Sequence, residues 1–196
     1  MDTVQQNPDP AAGPAVCVFA GSSPGASPRF AGAARAIGAG IAAMGASLVF
    51  GGGGLGLMGE TARAVMAGGG QVQGVMPTFL HTLETGVSPE EKLIVTPHMQ
   101  ERKTLMLRLS DAFVVLPGGL GTYDEFFEVI TEAQLGVHAK PIIVVNVDGY
   151  YDALDAMLRA MVKAGFAAPA ILDLYHLADG AQAALDRLRR YLAARA

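Results

Sequence analysis

The sequence predicts an α/β domain with a doubly wound parallel sheet, on three observations. Its short β-rich runs are apolar almost throughout, as strands covered on both faces are. Helical runs alternate with them, the pattern that wraps helices over a parallel sheet. Glycine turns follow Ala20, Phe50 and Leu116, at the carboxyl ends of strands, where such sheets bind ligands. There is no repeat and no interior linker. The 196 residues therefore suit a single domain, and 51% hydrophobic content supplies its core.

The opening MDTVQQNPDPAAGPA lacks a basic start and an apolar h-region, so it does not read as a secretion signal. Its Pro, Gln and Asn content predicts a disordered tail over residues 1–14, before a domain spanning 15–196. AVCVFA (15–20) reads as the first strand and residues 30–44 as an alanine-rich helix. SLVF (47–50) is the second strand, ending in GGGGLGLMG, with a helix continuing over 60–67. QVQGVM (71–76) is the third strand, and Pro77 closes it. A longer loop leads to a short strand at 93–95. Thr96-Pro97 reads as an N-cap with proline at the first helical position, opening a helix to about residue 110. Strands follow at 112–116 and 141–147, with a helix over 122–135 between them. Helices at 151–163 and 181–194 finish the chain.

Composition removes several functions. A net charge of −4 offers no basic field for a nucleic-acid backbone. The single cysteine, Cys17, rules out an intramolecular disulfide, fits a reducing cytoplasm and reads as a small core residue. Residues 36–59 carry no charge and are long enough to span a bilayer, but the run Gly51 to Gly54 suits a soluble helix, strand and loop better. His81, His98, His138 and His176 lack metal-ligand spacing and read as surface or loop residues. There is no G-x-S-x-G elbow for a serine hydrolase. Leu185, Leu188 and Leu192 form a helical stripe, either core or a dimer face, beside a solvated Arg187, Arg189 and Arg190.

GGGGLGLMG contains G-x-G-x-x-G twice, from Gly51 and from Gly54. It follows the second strand, though, and the third ends in Met76-Pro77 with no acid for a ribose hydroxyl, which argues against NAD. No Gly-Lys-Ser/Thr follows, so it is not a Walker loop. What remains is close backbone approach to a ligand at a helix N-terminus.

PGGLGT (117–122) is the stronger signal. Gly118, Gly119 and Gly121 free the backbone to turn amides toward an anion, the following helix adds its dipole, and Thr122 can donate a hydroxyl bond. The acids beyond it read two ways. Thr122 and Glu125 fit a capping box, with Thr122 at the N-cap. Alternatively, a helix face carrying Glu125 and Glu128, with Glu132 a turn beyond, presents carboxylates to a sugar. Upstream, Met99, Arg102, Met106 and Leu109 share one helical stripe, with Lys103 at its margin. Arg102 either snorkels to solvent from an edge or turns inward to a ligand.

These segments together resemble the LOG ("Lonely guy") family, the cytokinin riboside 5'-monophosphate phosphoribohydrolases. The resemblance runs nearly the whole chain, from FAGSS through GGGGLGLMG, MQERK and PGGLGTYDE to KPIIVVN and GYYD. It implies a Rossmann-like fold, usually dimeric. The implied activity is hydrolysis of the N-glycosidic bond of a nucleoside 5'-monophosphate, AMP or N6-prenyl-AMP, to base and ribose 5-phosphate. No cofactor or metal is implied. By resemblance Arg102 and Glu125 are the catalytic pair. Pro117, Gly118, Gly119, Gly121 and Thr122 form the phosphate turn, and Gly51, Gly52, Gly53, Gly54, Met99, Lys103 and Glu128 line the nucleotide site. The family often carries two glutamates where this chain has Asp124-Glu125, and a histidine where Gln100 stands, which leaves base preference open. A lysine decarboxylase label, also used in the family, finds no pyridoxal-phosphate site in this sequence.

The implied chemistry suits the residues. Cleavage at C1' builds positive charge on the ribose, which a carboxylate stabilises. Glu125 can do that or take a proton from water, while Arg102, always protonated, serves by holding charge. The alternatives are a non-catalytic nucleotide-sensing module on the same fold, and an NAD oxidoreductase, against which the missing ribose acid counts.

Overall fold

The computed structural model describes residues 13–81 and 92–194. Most of the predicted N-terminal tail, and most of the loop expected before the fourth strand, lie outside the described residues; the start of that loop, Thr78–His81, is a short helix. Among the described residues seven strands form one sheet: β1 (Ala15–Phe19), β2 (Ser47–Phe50), β3 (Val72–Pro77), β4 (Lys92–Thr96), β5 (Ala112–Val115), β6 (Ile142–Val145) and β7 (His176–Ala178). Their order is β4-β3-β2-β1-β5-β6-β7, and every neighbouring pair is parallel. The chain winds outward from β1 to β4, then returns to β5 on the other side of β1. The switch point of the sheet is therefore the gap between β1 and β5, where ligands of such folds bind.

The helices are α1 (Pro28–Ala43), α2 (Gly56–Ala67), α3 (Thr78–His81), α4 (Met99–Arg108), α5 (Leu120–Gln134), α6 (Asp152–Lys163) and α7 (Gly180–Ala193). Alternate strand residues divide between two cores, because a strand's side chains point to opposite faces. Val16, Val18, Leu48, Phe50 and Val114 pack with α1, α2 and α7. Cys17, Phe19, Val49, Phe113 and Val115 pack on the other face with α4, α5 and α6. This double cover is why the strands read as unbroken apolar runs. Leu185 and Leu188 are buried on α7, and Leu185 lies where a Cβ on Gly40 would stand, so that stripe is core. Arg187, Arg189 and Arg190 are exposed. Among the described residues no helix is long and apolar enough to cross a membrane.

Several helix starts differ from the sequence reading. Ser27 caps α1, accepting the Arg29 amide at 3.3 Å with Pro28 in the first turn, so α1 begins before residue 30. The helix expected from Thr96-Pro97 begins at Met99, because Thr96 is still paired with Pro77 at the end of β4. α5 begins at Leu120 with Gly119 as its N-cap, not at Thr122. β7 was not expected. It is three residues long, begins at an exposed histidine, and shows no apolar run to read.

Candidate active site

Three loops meet at the carboxyl ends of β1, β2 and β5. The Gly21 amide donates to the Pro117 carbonyl at 3.1 Å, and the Met58 amide donates to the Gly21 carbonyl at 3.2 Å. Gly56 (φ +57) crosses so close to the Ser22–Ser23 backbone that a Cβ would lie 2.3 Å from it. Within the run, Gly52 (φ +80) and Gly53 are buried, and the Gly54 carbonyl accepts from Arg63 Nη1 at 2.9 Å.

Arg102 points into this junction from α4. It is 8% exposed; its Nε donates to the Val75 carbonyl at 3.0 Å, and its Nη1 lies 3.3 Å from Glu125 Oε1. Met99 Sδ lies 3.9 Å from the same nitrogen. A Cβ on Gly51 would stand 2.2 Å from Arg102 Nη2, so this glycine makes the space the guanidinium occupies. Arg102 turns inward and does not snorkel: its Nε is bonded to a carbonyl and its Nη1 is ion-paired with a carboxylate.

Glu125, on α5, is also 8% exposed. Burial pushes its carboxyl up to about 7, against the pull of Arg102, with Asp124 pushing the same way as burial. The capping-box reading fails geometrically. Thr122 lies inside the helix, donating its amide to the Gly119 carbonyl at 3.0 Å, so Glu125 has no cap to reach back to. Its partner is the arginine.

Lys103 stands beside this pair, 3.0 Å from Asp124 Oδ2 and 2.7 Å from Glu128 Oε2. The latter approach is an ion pair off the line of a hydrogen bond. Burial alone would lower the Lys103 ammonium, but the Glu128 and Asp124 carboxylates raise it above its usual value. Glu128 Oε1 accepts from Gln100 Nε2 at 3.2 Å. Lys103 and Glu128 thus hold each other at the edge of the site.

In the β5–α5 turn the glycines serve differently. A Cβ on Gly118 would meet Thr122 Oγ1 at 2.1 Å, so the buried Thr122 packs against that backbone. Gly119 and Gly121 have open space where a Cβ would be, at the helix end whose first amides lack intrahelical partners. None of the three has positive φ, so their use here is close approach and clearance. Pro117 is buried and supplies the carbonyl that ties the turn to Gly21.

Two residues were missed by sequence reading except as part of a resemblance. Tyr151 Oη donates to the Leu116 carbonyl at 2.7 Å, and Tyr150 Oη to the Gly118 carbonyl at 2.6 Å. The signal available was an aromatic pair just after an adjacent strand, at its carboxyl end. The histidines lie apart: His98 stands at the N-terminal boundary of α4 with no side-chain cap bond, His138 Nε2 is 3.0 Å from the Val129 carbonyl, and His176 is exposed on β7. The side chain of His81 lies outside the described residues. Among the described residues no group of three His, Cys, Asp or Glu is placed to hold a metal.

A family model described as "Possible lysine decarboxylase" matches residues 58–188. A rice (Oryza sativa subsp. japonica) protein named "Probable cytokinin riboside 5'-monophosphate phosphoribohydrolase LOGL9" is 47% identical over 177 residues, 90% of this chain and 78% of its own. Cytokinin riboside 5'-monophosphate phosphoribohydrolase LOG3 of Arabidopsis thaliana is 39% identical over 176 residues, 90% of this chain and 82% of its own. The molybdenum cofactor carrier protein of Chlamydomonas reinhardtii shares the fold, with a TM-score of 0.69 at 22% identity, covering 92% of this chain and 99% of its own. Matched by the family model across both helices of the Arg102–Glu125 pair, and by relatives along nine-tenths of its length, the chain belongs to the LOG family of cytokinin riboside 5'-monophosphate phosphoribohydrolases.

Proposed function

We propose that the protein hydrolyses the N-glycosidic bond of nucleoside 5'-monophosphates, AMP and N6-prenyl-AMP, giving free base and ribose 5-phosphate. The observation that carries this reading is a buried arginine–glutamate pair beside an open helix N-terminus at the switch point. The 5'-phosphate sits on the amides at the start of α5, in the clearance left by Gly119 and Gly121. Glu125 then faces the ribose from one helical turn further on. As the C1'–N bond lengthens, its electron pair leaves with the base and positive charge gathers on the sugar, which the carboxylate stabilises. Water supplies the oxygen that bonds to C1', and Glu125 takes its proton and returns it to the departing base nitrogen, so that the base leaves neutral; a carboxyl pushed up to about 7 is suited to that exchange near neutrality. Arg102 holds Glu125 in place and faces the departing base with a fixed positive charge.

Leu55 and the 90%-exposed Leu120 flank the site, and suit either a prenyl substituent or a second copy of the chain. A cytoplasmic homodimer is the assembly this reading takes; Cys17, buried and free, agrees with a reducing compartment.

Incubation with AMP, followed by chromatography, tests the activity: free adenine and ribose 5-phosphate appear together. Arg102→Ala and Glu125→Ala each abolish release while circular dichroism stays native. AMP that binds but is never cleaved would instead make the protein a nucleotide-sensing module.

A further inference from the structure

We propose that Tyr150 is a positioning residue for the substrate's phosphate: its hydroxyl fixes the direction in which the amides of the β5–α5 turn face. The inference rests on the phosphate seat described above and adds what orients it. In a planar trans peptide the carbonyl and the next residue's N–H point in opposite directions. A donor that captures a carbonyl therefore aims the following amide away from itself.

Four consecutive carbonyls of this turn are captured. Leu116 is held by Tyr151 Oη at 2.7 Å, Pro117 by the Gly21 amide at 3.1 Å, Gly118 by Tyr150 Oη at 2.6 Å, and Gly119 by the Thr122 amide at 3.0 Å. The amides of Gly118, Gly119 and Leu120 accordingly point away from the donors that hold the preceding carbonyls, and Gly119 and Gly121 have no atom near where a Cβ would stand. Pro117, which has no amide, occupies the position where one would be of no use.

Of the two side-chain donors Tyr150 is the more exposed, 37% against 1% for Tyr151. Its ring is nevertheless fixed, packed edge-on to Tyr151 at 4.9 Å and to Phe30 at 5.7 Å. The chain enters it through Asp148 (φ 54) and Gly149 (φ 74), two successive left-handed residues. Aspartate tolerates that conformation better than most residues, but it is uncommon outside glycine, and such residues cluster at functional sites. Arg29 Nε pairs with Asp148 Oδ2 at 2.8 Å and braces the bend against α1.

Tyr150→Phe keeps both ring contacts and removes only the hydroxyl. Calorimetric titration with AMP and with inorganic phosphate, on the full-length protein, then weakens by about three- to tenfold for both, the worth of one lost hydrogen bond. KM for AMP rises by the same factor while kcat changes less than twofold, adenosine binding is unmoved, and Tm stays within a degree or so of the parent. Unchanged phosphate and AMP affinities would overturn the proposal, as would an equal weakening toward adenosine. Failure of the parent protein to cleave AMP would sink the proposed activity alone, since the binding comparison does not depend on turnover.

Discussion

The loop after β2 and the turn after β5 are both glycine-rich, and both end at the same buried ion pair, but glycine is needed at them for different reasons. In the β2–α2 loop the missing side chains are replaced by protein: Arg102 fills the space beside Gly51, Leu93 and Met76 press on Gly52, and the Ser22–Ser23 backbone crosses Gly56. In the β5–α5 turn only Gly118 is packed in this way, while Gly119 and Gly121 face open space. A glycine run can therefore be either a seat for a side chain of the protein or clearance for something from outside. The sequence pattern G-x-G-x-x-G, which matched the packed loop, does not distinguish them.

The sharpest way to break the contrast is to add one methyl to each. Gly51→Ala puts a Cβ onto Arg102 Nη2, and the flexible guanidinium must yield before the backbone does. Base release should fall by about a hundredfold or more, as expected when a positioned charge is displaced by an ångström. Circular dichroism should remain native, since Gly51 lacks positive φ. Retained activity would mean that the position of Arg102 is unimportant.

Gly121→Ala is the counterpart and should behave in the opposite sense. It sits in the first turn of α5 with nothing near its new methyl, so helix propensity stabilises the fold by about 0.5–1 kcal/mol. If the clearance is where phosphate sits, KM for AMP rises about tenfold, with the higher Tm read by calorimetry. A variant that is more stable and binds AMP as before would move the phosphate elsewhere.

How much of this was legible follows from the same contrast. The parallel sheet could be read because double burial writes unbroken apolar runs such as Val114 to Leu116. β7 could not, since His176–Ala178 is an edge strand too short to carry a period. Arg102 announced itself as a charge in an apolar stripe, and the stripe proved to face inward. Glu125 was ambiguous because a capping box and a buried carboxylate share one spacing; only the helix start at Leu120 separates them. The hold of Tyr150 and Tyr151 on the turn was not visible, because both bonds join residues more than thirty positions apart, through carbonyls that any residue has.

The pair itself should show in the pH dependence. Glu125 is pushed up to about 7 in the folded protein from an ordinary 4.5, so between those values the native state binds the extra proton. Stability from this group is complete below about pH 4.5 and is lost as pH rises through 7. Glu125→Gln has no proton to lose. It should melt a few degrees above the parent at pH 8, and together with it below about pH 4.5. Equal melting at both would mean that the carboxyl is not perturbed by burial. In the parent, base release should rise as pH passes 7, because the ionised carboxylate is the working form.

The smallest expected effect comes from the rim. Asp124 pushes the Glu125 carboxyl up while Lys103 pulls it down, and the two rim groups also pair with each other at 3.0 Å. Asp124→Asn removes the upward push, so the acid limb of base release should move to lower pH. Lys103→Met removes the downward pull and also frees Glu128, whose charge raises Glu125 as well, so its limb should move to higher pH. Because Asp124 is 57% exposed on its side chain, its shift should be a few tenths of a pH unit and should shrink in molar salt. Lys103, largely buried, should keep most of its effect under the same conditions. Shifts in the same direction for both variants would show that the rim acts on folding or on substrate binding, and not through the charge on Glu125.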